Sequence, residues 1–387
     1  MVDSRELVGR AKDLAPVFAE RALKTEENRA PLDESIRDLI EADLLPVLTP
    51  KVYGGHELGP DTMAAITATL SAGCPSTGWV AAFYMGSAWR TMFFPEQAQR
   101  EVFADKPYSL GAGQAAPLKE AKKVSGGYVI TGQTPWSSGS VHADWFTFMG
   151  VVVEEGAAPD PRWFLVPRAD VEIIDTWYTA GMRGTGSNDV RVEGVFVPEY
   201  RSASFVQALV GQTPGQAVHA NPMYRLPAIP FLLTEVVPAV VGQFRGAVTA
   251  FTERTRQRQG TISQVKASGK QAAQQRLGRA IAAADAAEAL LDDYLRRFLA
   301  QRPEQYEPSD RAAMKLRAAH IVDLCRNSMN DIVRGIGGDG FRDHSPLQRF
   351  FRDINVLALH AFLDIDNASE TAGRLALDLP VEGDPLI

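Results

Sequence analysis

Three stretches of this sequence gather residue types that can do chemistry. The first is Trp136-Ser137-Ser138-Gly139-Ser140-Val141-His142-Ala143-Asp144, placed just after the strand-like run Gly127-Tyr128-Val129-Ile130-Thr131-Gly132. Hydroxyl residues and a glycine beside a tryptophan suit a loop that lies against a flat aromatic ligand. They equally suit a plain strand connection with the tryptophan as a core anchor. The second stretch, Gly181-Met182-Arg183-Gly184-Thr185-Gly186-Ser187-Asn188-Asp189-Val190, is dense enough in glycine and hydroxyls to cradle a phosphate through backbone N–H groups. A turn between strands is the commoner outcome for such a run. The third is Gly337-Gly338-Asp339-Gly340-Phe341, followed by Arg349, Arg352, Asp353 and His360. Its glycines stop one helix, and Ser345-Pro346 starts the next. That reading puts His360 in mid-helix among Leu357, Leu359 and Phe362, where a lone histidine is more often a core residue than a catalyst.

Other chemistries lack their residues. There is no GxSxG elbow. The two cysteines, Cys74 and Cys325, are far apart without CxxC spacing, so neither a disulfide framework nor a structural zinc site is expected. The six histidines are scattered with no HxxxH or HxH pair, which argues against a metal site built from local spacing. A formal charge of -7 excludes the basic footprint that nucleic acid requires. No uncharged apolar run is long enough to span a membrane, and the charged N-terminus lacks the apolar core of a secretory signal, so a cytoplasmic location is expected.

These segments need elements to hold them, and 387 residues are more than one hydrophobic core usually organises. From Ser4 to about Asp105 apolar residues such as Leu7, Ala11, Leu14, Phe18 and Ala22 recur at helical intervals. From Tyr108 to Arg201 short aromatic and β-branched runs alternate with Gly, Pro, Asn and Asp, as antiparallel strands of a small barrel or sandwich would. No GxGxxG follows any of these strands, which removes a doubly wound nucleotide fold. Helical periodicity returns in four long stretches, at about Leu232–Arg258, Ser263–Ala300, Ser309–Gly335 and Leu347–Leu377, as in an antiparallel bundle. The expected class is α+β: an N-terminal helical domain (1–107), a middle antiparallel β-barrel (108–205), a linker (206–230) and a C-terminal four-helix bundle (231–387).

In that order and with those motifs the chain resembles the acyl-CoA dehydrogenase superfamily over nearly its whole length. The family's W-[IV]-[ST]-N-G-x-x-A-D segment is similar to Trp136–Asp144, and its G-x-R-G-[ST] element to Gly181–Thr185. Its G-G-x-G-[YF] with a following R-[YF]-x-R-D is similar to Gly337–Phe341 and Arg349–Asp353. The departures narrow the likeness. Ala361 stands where many dehydrogenases carry the α-proton-abstracting carboxylate, leaving only Glu235 on the first bundle helix as a relocated base. The T-E-P-x-x-G-S-D loop is absent, and R-x-Q-F-G becomes Arg256-Gln257-Arg258-Gln259-Gly260. By contrast Ser76-Thr77-Gly78-Trp79-Val80, Phe94–Phe103, Met223-Tyr224-Arg225-Leu226-Pro227 and the Asp353-to-His360 spacing resemble the oxygenase components of two-component flavin-dependent monooxygenases.

That resemblance implies reduced FMN (FMNH2) or FADH2 delivered by a separate NAD(P)H:flavin reductase, oxygen as cosubstrate, a C4a-hydroperoxide, and a small aromatic, phenolic or polyketide-type substrate. It implies a homotetramer with flavin sites shared between copies. It marks Ser138 near flavin N5 and His360 as the catalytic pair, with His360 deprotonating a phenol. The flavin would be held by Trp136, Ser137, Ser138, Ser187, Arg256 (and, less directly, Arg258), Gly337 and Gly338; His142, Trp89 and Tyr224 would meet the substrate. Two alternatives share the fold: an N- or S-oxygenase resembling the amino-sugar nitrososynthases, and an acyl-CoA dehydrogenase using Glu235.

Overall fold

A computed structural model describes residues 2–259, 264–302 and 307–381. Asp3 opens the first helix, α1 (Ser4–Asn28), by accepting the Glu6 N–H at 2.9 Å, which satisfies one of the orphan donors of the first turn. Helices α2 (Asp33–Glu41), α3 (Pro60–Gly73), α4 (Pro75–Thr91) and α5 (Glu96–Val102) complete the N-terminal part. Pro60 and Pro75 sit in the first turns of α3 and α4, where a missing N–H costs nothing. α4 is the spine of the molecule. It packs on α3, on the first long bundle helix and on the edge of the sheet.

The middle part holds β1 (Gly111–Pro117), β2 (Glu120–Val124), β3 (Gly127–Ser137), β4 (Trp145–Val152), β5 (Asp160–Pro167), β6 (Glu172–Ile174), β7 (Asn188–Pro198) and β8 (Ser202–Ser204). Among the described residues they form one eight-stranded sheet in the order β6-β7-β3-β2-β4-β5-β8, with β1 paired to β4. The sheet is mostly antiparallel, as expected; β1 and β2 run parallel to β4, and among the described residues the pairing path runs from β6 to β8 without closing. Tyr128, Ile130, Phe146, Phe148, Phe164, Val166 and Val190 fill a separate apolar core beneath the sheet.

A short helix α6 (Phe205–Leu209) and turns lead into α7 (Ala228–Gln257), α8 (Gln271–Leu299) and α9 (Pro308–Ile336). α7 is apolar enough to cross a membrane by composition, but 89% of its most apolar window is buried by protein: it is a core helix. It begins three residues before the expected boundary, at Ala228, and the expected start of the second bundle helix, Ser263, lies outside the described residues, as does Gly260. The expected fourth long helix is broken. α10 (Pro346–Leu357) ends at Ala358, and α11 (Ile365–Ala376) begins only after Asp364 accepts the N–H groups of Asp366 and Asn367. His360 therefore lies in the break, not in mid-helix. Its Nδ1 accepts the Phe362 N–H at 3.3 Å and caps a single 3-10 turn.

Candidate functional site

The site is built where the end of β3, the loop before β7, α4 and the break after α10 converge. β3 and β7 pair antiparallel, but the register shifts between Thr134 and Ser137, so Trp136 occupies a bulge. Its φ is 64°, a left-handed conformation that is unfavourable for a bulky residue, and its indole is 67% exposed. A strained backbone that turns an apolar ring toward open space points to a ligand for that ring. Beyond it Ser137 is fully buried with no hydrogen-bond partner for its hydroxyl.

Ser138 is the hub. Its Oγ accepts the Trp79 indole N–H at 3.0 Å and lies 2.8 Å from the Ser187 Oγ, which is 2.6 Å from Thr185 Oγ1. Thr185 donates onward to the Met182 carbonyl at 2.8 Å. That last bond fixes the direction of the chain: Ser187 donates to Thr185, and Ser138 donates to Ser187. The Ser138 hydrogen is thus committed, and what remains at its partly open edge is a lone pair. The loops are stitched further by Gly139 N–H to Thr185 O (2.9 Å), Tyr84 O–H to Gly139 O (2.6 Å) and Ser140 Oγ to Gly186 O (2.8 Å).

The second loop is clamped from the bundle. Asp353 accepts the Met182 N–H at 2.5 Å, Arg352 donates to the Ala180 carbonyl at 2.6 Å, and Arg352 also pairs with Glu26 at 2.5 Å. Burial raises the Asp353 carboxyl to about 6, against the pull of the Met182 N–H. The Gly181–Ser187 run is therefore a held turn that presents Ser187 to Ser138.

Trp79 joins this network to His360. Its indole meets the His360 ring edge-on at 5.9 Å and tilts against Phe83 at 5.1 Å. Burial pushes the His360 imidazole down to about 4, so the ring is neutral near pH 7. Because Nδ1 accepts from Phe362, the neutral ring carries its hydrogen on Nε2. Trp79 was legible only as part of a motif; its role depends on a contact across 59 residues of sequence that no local pattern displays.

The chain matches the N-terminal acyl-CoA dehydrogenase domain over residues 8–106 and the C-terminal domain over residues 235–365. It is 67% identical to a pigment production hydroxylase of Rhodococcus sp., over 99% of this chain and 98% of that one. It is 30% identical to the flavin-dependent monooxygenase oxygenase subunit HsaA of Mycobacterium tuberculosis, over 100% of this chain and 98% of that one. The crystal structure of 3-HSA hydroxylase from Rhodococcus sp. RHA1 superposes with a TM-score of 0.91 at 30% identity, covering 99% of each chain. The chain belongs to the flavin-dependent monooxygenases of the acyl-CoA dehydrogenase superfamily.

Reduced flavin and oxygen are the cosubstrates of such a monooxygenase, and the residues present fit the flavin. An exposed indole on a strained bulge, an unpartnered buried hydroxyl at Ser137 and an acceptor at Ser138 are the apolar and polar parts that a flat heteroaromatic ring requires. Arg256, Gly337 and Gly338 fall elsewhere, at the far end of α7. Arg254 and Arg258 bind the Ile336 and Gly335 carbonyls at 2.8 Å each, while Arg256 is 71% exposed and meets Glu253 at 3.6 Å. Among the described residues no hydrogen bond or ion pair ties this cluster to Ser138.

The three residues expected to meet the substrate have polar atoms engaged within the protein. Trp89 is fully buried, stacked on Phe231 at 3.7 Å, with its N–H on the Met223 carbonyl at 2.7 Å. Tyr224 is equally buried, its hydroxyl on the Leu48 carbonyl at 2.9 Å. In both, the polar edge is already engaged by a backbone carbonyl. His142 Nε2 meets Asp33 at 2.8 Å and pins the signature loop to α2. Glu235, weighed as a dehydrogenase base, is wholly buried and ion-paired with Arg90.

Proposed function

We propose that this chain is the oxygenase component that receives reduced flavin from a separate NAD(P)H:flavin reductase and hydroxylates a small phenolic substrate. Trp79 carries the reading: one indole holds Ser138, which faces the flavin, and abuts His360, which faces the substrate. The flavin supplies oxygen activation when bound, and the protein's task is to position it and exclude water. Ser138, with its own hydrogen donated to Ser187, accepts an N–H of the flavin ring and keeps that proton in place, which suppresses loss of hydrogen peroxide.

His360 works as a donor in this arrangement. With Nδ1 engaged by Phe362, Nε2–H donates to the oxygen of a phenol bound as its phenolate, the phenol proton having passed to solvent before the site closes, and the ring carbon then attacks more readily. To act as the proton-abstracting base, the ring would first have to exchange tautomers. The flavin phosphate is assigned to Arg256 with Gly337 and Gly338 of a neighbouring copy in a homotetramer; Arg256 has free surface, and Gly338 leaves open space where a side chain would stand.

The purified protein, given reduced FMN or FAD, a set of simple phenols and 18O2, should yield catechol carrying one labelled oxygen. Peroxide alone from every phenol with both flavins would overturn the reading. His360→Gln, whose amide can still donate, should retain more hydroxylation than His360→Ala. Equal losses in the two variants would return His360 to the role of base.

A further inference from the structure

α4 is buried along its whole length except at one residue. From Pro75 to Thr91 every side chain is buried but Phe83, which is half-buried. Phe83 is thus the place where α4 is least covered. The Trp79 indole lies 5.1 Å from the Phe83 ring. The Arg90 guanidinium lies 5.8 Å from the centre of the same ring and donates to the Phe83 carbonyl at 2.8 Å. Long side chains on a helix lean toward its N-terminus, which carries the Arg90 head back over the turn of Phe83.

Arg90 is paired with Glu235, reaching across from α7. Only a glycine permits this, because a Cβ at Gly86 would fall 1.7 Å from Glu235 Oε1. Glu235 is 0% exposed, and its other oxygen, Oε2, has no partner. Close by, Gly111 approaches the Ser87 and Ser109 hydroxyls, and the buried Ser109 hydroxyl is also unpartnered. An ion pair taken out of water costs more than its mutual attraction returns unless the remaining polar atoms are satisfied. Two unsatisfied oxygens beside a buried arginine are a poor arrangement for stability alone, and apolar residues of similar size would pack that space better.

We propose that Arg90 and Glu235 form the distal end of the substrate cleft, selecting aromatic substrates whose far end carries an uncharged hydrogen-bonding group, a hydroxyl or carbonyl, over those ending in a carboxylate. The idea rests on the phenol-hydroxylating reading above and names its substrate class. The pair can both donate, from Arg90, and accept, at Glu235, so it suits a group that does either. Burial holds the Glu235 carboxyl up at about 7, against the pull of Arg90, so above that pH the carboxylate neutralises the guanidinium and the pair carries no net charge. A carboxylate would have to compete with Glu235 for Arg90 and lie against a like charge in a buried place.

The matched probes are 2-(4-hydroxyphenyl)ethanol and 4-hydroxyphenylacetate, of nearly equal size but ending in a hydroxyl or a carboxylate. Their dissociation constants, measured by calorimetry on the wild type and on Glu235→Gln, give the test. The wild type should bind the alcohol at least about tenfold more tightly. Glu235→Gln keeps a hydrogen bond to Arg90 but frees its charge, and should reverse the preference. Replacing the pair together, Arg90→Met with Glu235→Leu, should bring the two ligands within about threefold and serves if the single variant does not fold. The same ratio in all three proteins, a wild type preferring the carboxylate, or no binding of either ligand at millimolar concentration overturns the proposal. Binding is read without flavin or oxygen. A correct switch in binding with no labelled catechol would sink the hydroxylase reading and leave the subsite standing.

Discussion

At the scale of single residues, the site works by assigning hydrogens. Ser138 receives one from Trp79 and gives one to Ser187, so removing its oxygen strands two buried groups at once. Ser138→Ala should cost about 1–3 kcal/mol in chemical denaturation and raise the peroxide released per substrate hydroxylated. A stability loss with unchanged coupling would reduce Ser138 to a structural hydroxyl. For His360, burial lowers the affinity for a proton, so the folded pKa of about 4 lies below the unfolded value. The contribution of the neutral ring to stability is complete above the unfolded pKa and is lost as pH falls from there toward 4. In NMR the His360 imidazole should not titrate between pH 5.5 and 8; a midpoint near 6.5 would refute the neutral ring.

At the scale of elements, a bulge and a clamp aim the site. The Trp136 backbone is strained by its left-handed φ, and glycine adopts that conformation freely. Trp136→Gly should therefore be as stable as wild type or more so, by up to about 1 kcal/mol, while binding reduced flavin more weakly. A less stable variant with unchanged flavin affinity would make Trp136 an ordinary packing residue. Asp353 ties α10 to the Gly181–Ser187 turn through Met182. Asp353→Ala leaves that N–H unpaired, and amide exchange should accelerate across residues 182–187 ahead of the bundle helices. Uniform exchange would show that the turn holds itself.

At the scale of the whole molecule, no hydrogen bond or ion pair among the described residues joins the serine cluster to the Arg256 cluster, and a flavin site shared between copies would unite them. Light scattering should give four times the 42.1 kDa of the chain. Arg256→Ala should weaken flavin binding in the tetramer while leaving the matched phenol probes bound as before. A monomer that binds flavin with full affinity would separate Arg256 from the site.

The sequence by itself determined the order of helices, strands and bundle, because apolar periodicity is local, and it marked Trp136, Ser138, Ser187 and His360 through motifs. It also held the signal for the helix break at His360, since Asp364 before Asp366 and Asn367 is a capping pattern that the continuous apolar run obscured. What only the tertiary structure decided is which aromatic and charged side chains face one another. Trp89 and Tyr224 look like pocket residues in a list but have their polar edges bound by distant carbonyls. Trp79, Phe83, Arg90 and Glu235 gain their meaning from contacts between α4, α7 and the loops. Periodicity tells a helix which face to bury; it cannot tell a buried polar atom whether its partner is protein or substrate.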